Sequence, residues 1–246
     1  GVEHMTRGPW VLSKASKPFG RDMALHDTSF GWRFINPKLD AVYGTEGMGQ
    51  TAENLVELHG ISREDQDAFA MRSQHKAATA QREGRLGEEI VPIAIPRRKQ
   101  EDLFFESDEF IKPQTSLEVL GKLRPAFRKE GGSVTAGNAS GLNDGAAALL
   151  MANEAGLKAS NLEPLAEIVS SAVVGVPPRI MGIGPVEASE RALAKAGLCW
   201  DDVDVIELNE AFAAQSLACI RSWNLDDDDA RINPNGGAIA IGHPLG

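Results

Sequence analysis

The stretch that decides the fold runs from residue 165 to residue 221. It contains LAEIVSSAVV (165–174), VEASERALAKA (186–196), VDVIEL (203–208) and EAFAAQSLACIR (210–221). The first and third segments are short apolar runs rich in Val and Ile, as strands are. The second and fourth carry apolar residues at helical spacing, and Gly197 closes the first of these helices. Strand, helix, strand, helix in alternation predicts an α/β protein with a mostly parallel sheet covered by helices.

Working outward, Ser62 and Asp65 predict a capping box that opens a helix over 63–83, closed by Gly84. His75 on that helix is expected to be a half-buried packing residue, and His59 a helix C-terminal histidine favoured by the dipole. Residues 89–95 (EIVPIAI) predict a strand, at a sheet edge because Pro92 cannot donate to a ladder. Residues 146–153 predict a further helix. Residues 8–47 lack periodicity but carry Pro9, Pro18, Pro37 and large apolar side chains, among them Trp10, Phe30 and Trp32. A loop that long is expected to pack against something. The basic cluster Arg97-Arg98-Lys99 has two readings, a solvated turn or a contact for the phosphates of an anionic ligand. The run Asp226–Asp229 reads as a solvated turn.

Composition narrows the function. The 246 residues include 25 Lys+Arg and 35 Asp+Glu, a formal net charge of -10. Such a chain repels the phosphates of nucleic acids and of anionic membranes. No apolar run approaches the ~20 residues that span a bilayer. Cys199 and Cys219 are too few for a disulfide framework or an all-cysteine zinc site. Both read as small packing residues, and they suit a reducing, cytoplasmic compartment. His4 and His26 have no partners at metal-ligand spacing, so no metal is expected. The chain opens on Gly1 and stops inside a Gly-rich run, as an internal piece of a longer protein would. Such a piece is expected to expose sheet edges and apolar surface, and to dissolve poorly.

Three segments are built like sites. SVTAGNASGLNDG (133–145) is nearly free of bulk, so a ligand can approach its main chain. NEAFAAQ (209–215) follows a predicted buried strand, the place where open α/β sheets bind ligands. Asn209 there has two readings, a helix cap or an amide that serves a developing oxyanion. In NPNGGAIAIGHPLG (233–246), His243 is held between Gly242 and Pro244, which suits a base that must reach a nucleophile. No Ser or Cys stands in a nucleophile-elbow context, so these residues make half of a site.

NEAFAAQ and NPNGGAIAIGHPLG resemble the hallmark segments of the thiolase family, the acyl-CoA acetyltransferases. GVEHMT (1–6), GMGQTAENL (47–55), SREDQDAFAMRSQ (62–74), KLRPAF (122–127), VTAGNASGLNDGAAALL (134–150) and VPPRIMGIGPVEA (176–188) follow in the family's order, so the resemblance covers the whole chain. HDTSFGWRFINP (26–37) most resembles the β-ketoadipyl-CoA branch.

The resemblance implies the thiolase fold, two βαβαβ-type halves in a layered α/β arrangement with a loop domain, here incomplete at both ends. Residues 1–12 and 144–164 would belong to the first half, 13–143 to the loop domain and 165–246 to the second half. The implied reaction is thiolysis of a 3-ketoacyl-CoA, or the reverse Claisen condensation, through a cysteine acyl-enzyme. His243 matches the histidine that activates the cysteine, and Asn209 the asparagine that positions a water in the oxyanion hole. Ser140 and Ala136 match the segment that contacts the pantetheine arm. Met48, Phe127, Met181, Phe212 and its neighbour Ala211 match the lining of the acyl or pantetheine pocket. Coenzyme A and acetyl-CoA would be substrates, no cofactor would be held permanently, and the full-length protein would be a homodimer or homotetramer.

The departures are also informative. Both family cysteines would lie outside residues 1–246, so the chain alone is expected to be inactive. Gly47 stands where acetoacetyl-CoA thiolases carry a histidine, which argues against that specialisation. Val119 stands where some relatives have a serine near the adenine. Two other readings are a thiolase-fold protein that binds acyl-CoA or lipid without catalysis, and a decarboxylating condensing enzyme of the same superfamily.

Overall fold

The computed structural model describes residues 1–245. Its helices, in chain order, are α1 (Pro37–Tyr43), α2 (Met48–His59), α3 (Arg63–Arg82), α4 (Leu117–Gly121), α5 (Glu154–Ser160), α6 (Gly184–Ala196), α7 (Ala213–Ser222) and α8 (Ala238–Ile241). Its strands are β1 (Val2–His4), β2 (Trp10–Leu12), β3 (Leu25–Asp27), β4 (Ile93–Ile95), β5 (Leu103–Phe105) and β6 (Asp144–Ala146). They form three antiparallel pairs, β1–β6, β2–β3 and β4–β5.

Local chemistry explains the helix bounds. Ser62 Oγ accepts from the Asp65 amide at 3.0 Å, and the Asp65 carboxylate accepts from the Ser62 amide at 3.4 Å, so α3 opens on the predicted capping box. Gly60 ends α2 in the left-handed region at φ +60, with His59 in the last turn. Gly197 ends α6 in the same way at φ +72.

The core gathers around α7. Every residue from Ala213 to Ile220 is buried, so this helix is enclosed on all sides rather than on one stripe. Leu55 of α2, Phe69 of α3, Ile239 of α8 and the flanking Ile206, Leu208 and Trp223 complete the cluster. Full burial of one such side chain contributes roughly 1.5–3 kcal/mol. The core therefore joins residues 52–80 to residues 206–240 across a wide gap in sequence.

Several expected elements are absent or displaced. Residues 165–174 form no strand: Leu165 and Val173 stand fully open to solvent, and no described residue supplies a ladder partner. Residues 203–208 are reduced to one parallel bridge, Ile206 to Ile232, although Ile206 and Leu208 are buried. The sheet expected to be mostly parallel is thus represented by that single bridge among the described residues. A strand is defined by its neighbour, and apolar composition alone does not create one.

Residues 146–153 are not helical. Ala146 closes β6, and the helix starts only after Asn153, whose side chain accepts from the Gly156 amide at 2.9 Å. The strand expected over 89–95 keeps only Ile93–Ile95, after Pro92, and pairs with β5 alone. The helix expected from Glu210 starts at Ala213, because Phe212 is extended at φ -145.

Candidate active site

Asn209 and His243 are brought together by a shared base. The Ile206–Ile232 bridge lays residues 206–208 beside residues 231–233, with Ile206 donating to the Arg231 carbonyl and Asn233 donating back to Ile206, each at 2.9 Å. The Asn233 side chain then clamps both chains. Its Oδ1 accepts from the Leu208 amide at 2.7 Å, and its Nδ2 donates to the Leu208 carbonyl at 2.8 Å. From this clamp two loops diverge and meet again at their tips, where Asn209 Nδ2 donates to His243 Nε2 at 3.0 Å. Asn209 is therefore not a helix cap.

The loop carrying His243 depends on its glycines. Gly242 has φ +95, and a Cβ there would fall 2.5 Å from the Asn143 side chain. Gly145 is equally tight, since its Cβ would meet Pro244 at 2.5 Å. These two approaches press the histidine loop against residues 143–145, at β6. His243 is half-buried, and burial holds its pKa below the ordinary histidine value. The neutral ring leaves Nε2 as the acceptor, so the proton sits on Nδ1.

Directly beside Asn209 lies a buried carboxylate. Glu210 is 1% exposed. It accepts from Ser73 Oγ at 2.6 Å, Asn233 Nδ2 at 2.8 Å and the Ile239 amide at 3.2 Å. Burial raises its pKa above the ordinary carboxyl range against the pull of those three donors. It ties α3, the Asn233 clamp and α8 into one unit beneath the Asn209–His243 pair. The sequence signal for it is an acidic residue two positions past the apolar run 203–208, which composition alone does not distinguish from a surface carboxylate.

The small-residue segment is fixed by two buried side chains. Glu53 of α2 accepts from the Ser133 and Val134 amides at 2.9 and 2.8 Å. Asn138 donates to Asp67 at 2.9 Å and accepts from the Thr135 amide at 2.7 Å. Ser140 then docks on residue 211: its amide and its Oγ both donate to the Ala211 carbonyl, at 3.0 and 3.1 Å. Ala136 stands exposed on the same segment. Phe212 meets Phe127 edge-on with ring centroids 6.0 Å apart, and a Cβ on Gly49 would fall 2.2 Å from the Phe127 ring. Met48, the residue before Gly49, lines a cavity of about 520 Å³ together with Met181, Phe30, Trp32 and Val176. The structure thus joins Ser140, Ala211, Phe212 and Phe127 into one wall, and Gly49 beneath Phe127 is the chain neighbour of Met48 in the cavity. The long loop of residues 8–47 supplies part of that cavity through Phe30, Trp32 and Tyr43.

The remaining candidates resolve as follows. Cys219 is buried in α7 and its thiol is pushed up to about 12, so it is inert as a nucleophile. Cys199 is exposed rather than packed, with Sγ 3.1 Å from Asp202 Oδ2, because it stands at the start of a short helical turn. His75 is exposed, not half-buried, and its Nε2 meets the Thr115 carbonyl at 2.9 Å. Arg97–Lys99 lie exposed between β4 and β5. The Asp226–Asp229 run is less free than a solvated turn, since Arg221 holds Asp227 and Arg231 holds Asp229. Among the described residues no group of three or more His, Cys, Asp or Glu converges as a metal site would require. Gly246, the last residue of the predicted histidine segment, lies outside the described residues.

Comparison with known families agrees with this arrangement. The model of the thiolase N-terminal domain matches residues 1–155, and that of the thiolase C-terminal domain matches residues 162–246. The chain belongs to the thiolase family. It is 55% identical over 246 residues to the β-ketoadipyl-CoA thiolase of Acinetobacter baylyi, covering 100% of this chain and 61% of that protein. It is 53% identical, over the same shares, to the 3-oxoadipyl-CoA/3-oxo-5,6-dehydrosuberyl-CoA thiolase of Escherichia coli. The structure of human mitochondrial 3-ketoacyl-CoA thiolase in complex with CoA superposes with a TM-score of 0.87 at 44% identity, covering 100% of this chain and 59% of that one. The fold is therefore the thiolase fold. The chain spans about three fifths of the length of these relatives.

Proposed function

We propose that the full-length protein carrying this chain is a thiolase-type acyltransferase. It cleaves a 3-ketoacyl-CoA with coenzyme A to acetyl-CoA and a shortened acyl-CoA, or runs the reverse Claisen condensation. The observation that carries this reading is the 3.0 Å contact between Asn209 and His243. A neutral imidazole beside an amide donor is a base next to an oxyanion-stabilising group. A protein that only binds acyl-CoA has no need of that pair, so the binding-only reading is disfavoured.

In this reading His243 takes the proton of a cysteine thiol supplied outside residues 1–246 at Nε2, its one lone pair, as the thiol displaces the Asn209 amide from it. Asn209 has two amide hydrogens. One lies on His243 until that proton transfer, and the other is free to hold a water or the thioester oxygen as charge develops there. Ser140, Ala136, Ala211, Phe212 and Phe127 form the wall along which the pantetheine arm lies. Met48 and Met181 bound the acyl end. Coenzyme A and acetyl-CoA act as substrates, and no resident cofactor is required. The division into a first half (1–12 and 144–164), a loop domain (13–143) and a second half (165–246), and assembly as a dimer or tetramer, belong to the same proposal. Similarity to a β-ketoadipyl-CoA thiolase and a 3-oxoadipyl-CoA thiolase supports a β-ketoadipyl-type substrate.

The test is thiolysis by the full-length protein. Asn209→Ala is expected to lower kcat by about 100- to 1000-fold, the usual cost of one oxyanion donor. Unchanged turnover in that variant would reject the assignment. Because burial lowers the His243 pKa, the base form persists at pH values where an ordinary histidine is already protonated. The acidic limb of kcat/KM is therefore expected below pH 6.5, and a limb assigned to His243 above that value would contradict the geometry.

A further inference from the structure

The cavity of about 520 Å³ has apolar walls of Phe30, Trp32, Met48, Val176 and Met181, yet two charged side chains join that lining, Glu46 and Arg179. Arg179 lies two residues before Met181, in the helical turn of residues 178–183. Its Nε stands 3.2 Å from both Glu46 oxygens and its Nη2 3.2 Å from Oε1. The Glu46 side chain is 28% exposed and that of Arg179 65%. Glu46 is anchored independently, since Asn54 Nδ2 donates to its Oε2 at 2.7 Å and Asn54 also holds the Arg179 carbonyl at 2.9 Å.

This arrangement divides the guanidinium. One edge, Nε and Nη2, is fixed on Glu46. Nη1 donates to none of the described residues, and a guanidinium offers five N–H groups in a planar fork. An arginine held by one edge is oriented at the other, where it can take a second carboxylate in bidentate geometry. The cavity also neighbours the wall described above: its Met48 precedes Gly49, which lies beneath Phe127, and Phe127 meets Phe212, three residues beyond Asn209.

We propose that this cavity takes the acyl chain of the substrate and that Arg179 reads a carboxylate at the far end of that chain, with Glu46 as its positioning residue. Residue 179 then determines selectivity for dicarboxylic over neutral acyl groups. The physical reason is that an ionised carboxylate enters an apolar chamber only against a cation, whereas a methyl-ended chain gains nothing from one. The proposal rests on the thiolysis reading for its turnover arm only.

Two measurements on the full-length protein test it. In the first, kcat/KM is compared for 3-oxoadipyl-CoA and 3-oxohexanoyl-CoA, which differ in a terminal carboxylate against a methyl group. Arg179→Gln is expected to lower the value for the carboxylate-ended substrate about 100-fold and to leave the methyl-ended one within ~3-fold, with Arg179→Lys in between. Glu46→Gln, which releases the anchored edge, is expected to narrow the preference for the carboxylate-ended chain. In the second, calorimetry compares binding of adipyl-CoA and hexanoyl-CoA, with Arg179→Gln losing affinity for adipyl-CoA alone. Equal effects on both chain ends, or none, would overturn the role of Arg179. Wild-type protein that turns over neither substrate, yet binds adipyl-CoA in an Arg179-dependent way, would reject thiolysis and retain the carboxylate site.

Discussion

Residues 206–241 and residues 147–174 are both rich in small and branched apolar side chains, and the structure treats them in opposite ways. In the first region Ile206, Leu208, Leu217, Ile220 and Ile239 are all buried, and Asn233 and Glu210 satisfy the polar groups between them. In the second region Leu149, Leu150, Met151, Leu165, Ile168 and Val173 are exposed. Composition does not separate the two. Partners do: α7 lies among α2, α3 and the helical turn of residues 178–183, whereas no described residue offers 165–174 a neighbouring strand. Burial is a property of a pair of surfaces, and an apolar segment with no facing surface stays in water whatever its own preference.

Three substitutions probe that contrast in the 246-residue chain, each read by urea unfolding. The largest effect is expected from Glu210→Ala. It strands the Ser73 hydroxyl, the Asn233 amide and the Ile239 amide in the interior, at a cost of about 3–5 kcal/mol. An unchanged midpoint would show that the polar network adds nothing to the buried region. Next comes Leu217→Ala, fully enclosed in α7, with an expected loss of about 3 kcal/mol. A loss under 1 kcal/mol would mean that the core collapses around the void and is looser than its burial implies. The smallest effect is expected from Leu165→Ser, within ~0.5 kcal/mol, because the side chain is already in solvent. A loss of several kcal/mol there would show that a surface covers residue 165 in solution, and the contrast between the two regions would vanish.

Local signals are legible where a motif closes on itself within a few residues. Ser62 and Asp65 make a capping box whose two hydrogen bonds span three residues, and Gly60 and Gly197 cap their helices through their own φ angles. His243 and Asn209 were legible as separate residues because each lies in a short segment of unusual composition. Their meeting was not legible. It depends on the Asn233 clamp and on a single parallel bridge, and nothing in the spacing of 34 residues encodes a 3.0 Å contact. Arg179 is silent in the sequence for the same reason: its sequence neighbours are Pro178 and Ile180, and the acid that holds it is Glu46.

What the sequence determined by itself was the set of parts: helices over 63–83 and 186–196 with their caps, the acidic balance, and the segments that identify the family. What only the tertiary structure decided was which parts face one another. Caps and turns are satisfied by atoms a few bonds away, so the chain carries their solution locally. The Ile206–Ile232 bridge, the Asn209–His243 contact, the buried Glu210 and the Glu46–Arg179 edge each need a partner from 23 to more than 130 residues away. Such a partner is chosen by the packing of the whole chain, because only there do the hydrogen bonds and burial of both members come due together.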